Sequence, residues 1–176
     1  MEVYGNIICS YNIKEGEINI LSDEFENNNN NIIIYIKDQK INFTKKYNFE
    51  LYDSKRVRFE IISKEFSMKN MFKNVSYLKY INIESQKYIK ITSMESAFEL
   101  CSNIENFSFN SGLDTSKLIS MKKAFSYSKK LESISFNKMD LSKVKDISYM
   151  IEGTNLYKFT PGVFNLTSVE TMSSLF

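Results

Sequence analysis

The sequence predicts an α/β repeat solenoid of period 25–27, preceded by a small all-β N-terminal module. Three observations carry that expectation. Met68, Met94, Met121, Ile147 and Met172 recur at steps of 26, 27, 26 and 25 residues, and self-similarity at a fixed period in the twenties is the mark of a repeat array. Inside each period the apolar residues first keep helical spacing and then alternate. The first 62 residues lack the period and hold runs of β-branched and aromatic residues instead.

In the N-terminal module, residues 7–13, 18–21, 32–36, 40–43 and 56–62 read as strands, because β-branched and aromatic side chains suit a pleated, half-buried surface. Lys37-Asp38-Gln39 reads as a tight turn and Asn27 to Asn31 as a loop. The module, residues 1–62, is expected to cover the first end of the array, since an uncovered end exposes its core.

Residues 63–176 then divide into about four units and a truncated fifth. Each is expected to open with a short helix. Met68, Met71, Phe72 and Val75 are spaced by threes and fours, as are Met94, Ala97, Phe98 and Cys101, and Met121, Ala124 and Phe125. Such spacing places side chains on one helix stripe. Ser67, Ser93, Ser120, Asp146 and Thr171 stand one position earlier, and all five can cap a helix N-terminus. A strand is expected next, from the pattern shared by Leu78/Ile81/Ile83, Ile104/Phe107/Phe109 and Leu131/Ile134/Phe136, with Pro161 interrupting the fourth copy.

These motifs resemble the BspA-like leucine-rich repeats of bacterial, mycoplasmal and protist surface proteins. Met94-Glu95-Ser96-Ala97-Phe98-Glu99-Leu100-Cys101 is the nearest copy, and Asp114-Thr115-Ser116-Lys117-Leu118 resembles the lead-in to the helix. Ile147 and Ile151 depart from the usual Met and Phe, and Ser128 stands where Cys is usual. The resemblance implies a leucine-rich-repeat-like right-handed solenoid with a parallel sheet on one face, used for adhesion or protein binding at a cell surface. Residues 1 to 5 do not begin a signal peptide, which favours the cytoplasm and conflicts with that surface location unless the chain is a fragment.

Composition narrows the chemistry. There is no histidine, so a Ser-His-Asp or Cys-His arrangement is impossible, and with two unpaired cysteines the usual zinc sites are excluded. Cys101 falls on the core stripe and Cys9 in a strand, so both are expected to be structural. None of the five glycines sits in a phosphate-binding loop. Asp114 and Asp140 recur at one repeat position and are assigned to capping or turns. The expectation is therefore a protein without enzymatic activity and without cofactor or metal. A net charge of +2 does not point to nucleic acid, and Lys122, Lys123, Lys129 and Lys130 read as a solvated face. No apolar run is long enough to span a membrane. Sequons occur at Asn42, Asn74, Asn106 and Asn165.

The candidate binding residues are the strand positions pointing away from the core: Lys79, Tyr80, Glu105, Asn106, Glu132, Ser133, Tyr157 and Lys158. In register they would make a mixed-charge face with an aromatic near each end, recognising a protein partner. The alternative is a structural subunit or fragment packed within a larger assembly. Leu175 and Phe176, in the unfinished fifth unit, are the expected place of self-association or of a partner.

Overall fold

β1 (Gly5–Tyr11) runs through the middle of the N-terminal half, with Ile7, Cys9 and Tyr11 buried on one face and Ile8 and Ser10 on the other. Further along are β2 (Gly16–Asn19), β3 (Ile32–Ile36), β4 (Gln39–Ile41), β5 (Lys46–Phe49), β6 (Arg56–Ile61), β7 (Glu65–Ser67), β8 (Leu78–Ser85) and β9 (Lys90–Ser93). The chain closes with β10 (Asn106–Ser108), β11 (Ser133–Ser135) and β12 (Lys158–Thr160). This computed structural model describes residues 2–26, 30–85, 89–108, 113–137, 139–160 and 166–176. Asn27 to Asn29 of the expected loop, Phe109, Pro161 and Asn165 lie outside the described residues.

Five strands form an antiparallel sheet in the order β4-β3-β6-β1-β8. Its inner face carries Ile34, Ile36, Val57, Phe59, Ile61 and Ile83, all buried. Lys37 and Asp38 close the β3–β4 hairpin with φ of 54° and 57°, the two positive values of a type I′ turn, whose twist matches the strands it joins. The sheet takes its fifth strand, β8, from beyond residue 62. β2 and β5 form a separate antiparallel pair, and β7 pairs β9 in parallel.

The expected α/β repeat solenoid is corrected by this structure. No α-helix occurs among the described residues, where helical geometry is limited to short 3-10 turns such as Leu166–Ser168, and the protein is essentially all-β, built from several small sheets. The segments expected as helices are pairs of β-turns. Met71 N–H bonds to Met68 C=O and Val75 N–H to Phe72 C=O, with φ of 57° at Asn70 and 58° at Asn74. A positive φ at the third residue is the type II arrangement.

A helix would direct its N–H groups along its own axis. Here they reach a different segment. Met68, Asn70, Phe72 and Asn74 donate to Ser93, Glu95, Ala97 and Glu99 at 2.7–3.0 Å. Met94, Ser96, Phe98 and Leu100 donate likewise to Ser120, Lys122, Ala124 and Ser126. Two consecutive four-residue turns bury their first and fourth residues, giving positions i, i+3, i+4 and i+7. Over eight residues that spacing cannot be told from a helix stripe.

The expected caps start turns rather than helices. Ser67, Ser93 and Ser120 each accept an N–H from two residues on at 3.2–3.3 Å, and Asp146 accepts that of Ser148 at 2.9 Å. Inside the turns, Phe72, Phe98 and Phe125 stack with centroids 5.6 and 5.3 Å apart and planes within 11° of parallel. Phe59 of β6 meets Phe72 edge-on at 5.9 Å, so the core runs unbroken from the five-stranded sheet into the turns.

Candidate binding face

β10, β11 and β12 form a parallel three-stranded sheet whose register follows from one repeated triplet. Phe107, Ile134 and Phe159 align as its inward row. Phe107 and Ile134 are buried, whereas Phe159 remains 37% exposed. Side chains alternate across a strand, so Asn106, Ser133 and Lys158 form one outward row and Ser108, Ser135 and Thr160 a second. Glu105, Glu132 and Tyr157 line the entrance, where Glu132 N–H donates to Glu105 C=O and Tyr157 N–H to Glu132 C=O.

Side chains bridge the strands. Ser133 Oγ lies 2.5 Å from Asn106 Oδ1, and Tyr157 OH donates to Glu132 Oε2 at 3.3 Å. Lys79 Nζ is 3.7 Å from Glu105 and 5.1 Å from the centre of the Tyr80 ring. The Tyr80 hydroxyl and the Glu105 carboxylate hold Lys79 above the usual lysine value. Tyr157, at 77% exposure, is the most prominent aromatic here.

Six of the eight expected residues thus meet on one face: Glu105, Asn106, Glu132, Ser133, Tyr157 and Lys158. Lys79 and Tyr80 belong to β8, which pairs with β1. Tyr80 stands opposite Ser10 on the outer face of the five-stranded sheet, while Lys79 is the extra residue of a β-bulge, between Leu78, paired to Tyr11, and Tyr80. The bulge turns Lys79 toward Glu105. Ser108, Ser135 and Thr160 were missed as members of the face, although strict two-residue alternation from Asn106, Ser133 and Lys158 identifies them.

The remaining candidates have structural partners. The Ser116 hydroxyl holds the Asp114 carboxyl below its ordinary value, helped by the Ser116 N–H, and Ser142 does the same for Asp140. Cys9 and Cys101 are buried free thiols, pushed up by burial, and Cys101 Sγ donates to Phe72 C=O at 2.9 Å. Lys123 lies 3.9 Å from Glu99, and Lys130 bonds to Asn103 at 2.7 Å. Asn42, Asn74 and Asn106 are exposed. Phe176 is 85% exposed beside a 290 Å³ concavity that it shares with Ile151, Leu156, Tyr157 and Phe159, whereas Leu175 is half-buried. Among the described residues no group of three His, Cys, Asp or Glu could hold a metal ion, and no helix is long and apolar enough to cross a membrane.

Comparison with known proteins identifies the family. Residues 66–176 match the family model described as "Mycoplasma protein of unknown function, DUF285", and the chain belongs to that family. No curated protein and no solved structure matches the chain. The resemblance to BspA-like leucine-rich repeats is corrected accordingly: the matching family is DUF285, and no leucine-rich-repeat family is shown. The surface and adhesion roles implied by that resemblance lose their support with it.

Proposed function

We propose that this chain is a non-enzymatic protein-binding module whose recognition surface is the outward face of β10–β12 with its entrance row. The observation that carries this is Tyr157, an aromatic ring held largely in solvent while its hydroxyl is fixed by Glu132. Aromatic residues supply much of the anchoring energy at interfaces, and a side chain already oriented loses less freedom on binding. Asn106, Ser133, Lys158 and the hydroxyls of Ser108, Ser135 and Thr160 add donors and acceptors along the three short strands beside it.

The test is a photo-crosslinking residue placed at Tyr157 or at Ser133, with Tyr52, 95% exposed and on another surface, as the control position. In lysate of the source cell, positions 157 and 133 are expected to trap the same discrete protein, and position 52 is not. Equal labelling from all three positions would remove the face from consideration.

A second reading, a structural subunit packed in a larger assembly, is supported by the exposed apolar group of Tyr157, Phe159 and Phe176. It predicts that the trapped protein co-purifies at fixed stoichiometry without crosslinking.

A further inference from the structure

We draw no further inference here: the strongest candidate, the side-chain cluster on the outer face of the five-stranded sheet where the buried Asn6, whose Oδ1 has no hydrogen-bond donor among the described residues, stands in register between Glu60 and Glu84, carries nothing because Arg58 already pairs with Glu60, Asn82 already donates to Glu84, and nothing in the structure shows what would cover the Asn6 oxygen.

Discussion

Gly153 gives way to Tyr127. A Cβ on Gly153 would stand 2.7 Å from Cδ1 of the Tyr127 ring, and Gly153 itself has φ of 65°. The two residues occupy the same turn position in successive units. Asn74 and Leu100 occupy it in the two earlier ones, with φ of 58° and 63°. Four residue types thus share one left-handed backbone conformation, in which only glycine is free of strain and asparagine is well tolerated.

Two substitutions at this position should move stability in opposite directions. Gly153→Ala combines a positive φ with the overlap on Tyr127, and is expected to destabilise by more than about 1 kcal/mol. Leu100→Asn relieves a conformation that costs a non-glycine residue about 1–2 kcal/mol, and is expected to stabilise by up to about 1 kcal/mol. Urea unfolding of both variants checks the signs. A stabilised Gly153→Ala would mean that the turn conformation is wrong.

The phenylalanine stack should be the most sensitive part of the core. Phe98 lies between Phe72 and Phe125 and is fully buried. Phe98→Ala is expected to cost about 3–5 kcal/mol, as for other large-to-small changes in a packed interior. Tyr52→Ala, at a 95% exposed position, should cost almost nothing. Thermal and urea melts of the pair measure the difference.

Acid should weaken the lead-in turns. The carboxyls of Asp114 and Asp140 lie below their ordinary value of 3.8 because Ser116 and Ser142 donate to them. A folded value below the unfolded one means stability that is complete above the ordinary value and is lost as pH falls through the lower folded value. Asp114→Ala and Asp140→Ala are each expected to cost about 1 kcal/mol near pH 7. The difference from the parent protein should shrink when unfolding is measured below about pH 3.

The two thiols should be inert in the folded protein. Cys9 and Cys101 are buried, and burial raises both thiols above their ordinary value, so little thiolate exists to react. A thiol-specific reagent at neutral pH is expected to label neither until urea unfolds the chain, when two equivalents should react. Fast labelling of Cys101 in the native state would show that the turns around it open.

Much of the N-terminal architecture was legible locally. The runs that became β1, β3, β4 and β6 announce themselves by their β-branched and aromatic residues, and Lys37-Asp38 sits where a hairpin needs its turn. The recurring spacing of Met68, Met94 and Met121 also has a physical counterpart, since their backbone N–H groups bond to the carbonyls of Ser93, Ser120 and Asp146, 25 or 26 positions on. The candidate face was partly legible. Glu105, Asn106, Glu132, Ser133, Tyr157 and Lys158 do gather, and Lys79 reaches Glu105 from the bulge in β8, whereas Tyr80 pairs with Ser10 on the five-stranded sheet.

By itself, then, the sequence determined most of the buried positions of the first turn units, such as Met68, Met71, Phe72 and Val75, though not the exposure of Phe159 and Met172, together with the period at which the units recur and the lack of histidine. Those follow from hydrophobicity and composition, properties each residue carries alone. Whether Met68, Met71, Phe72 and Val75 belong to a helix or to two turns was decided only by the tertiary structure. Both arrangements bury the same four side chains. What separates them is where the backbone N–H groups of Asn70, Phe72 and Asn74 find carbonyls: on their own segment, or on Glu95, Ala97 and Glu99 of the next one. Buried backbone groups must be paired, and the neighbouring segment supplied partners that a helix would have found within itself.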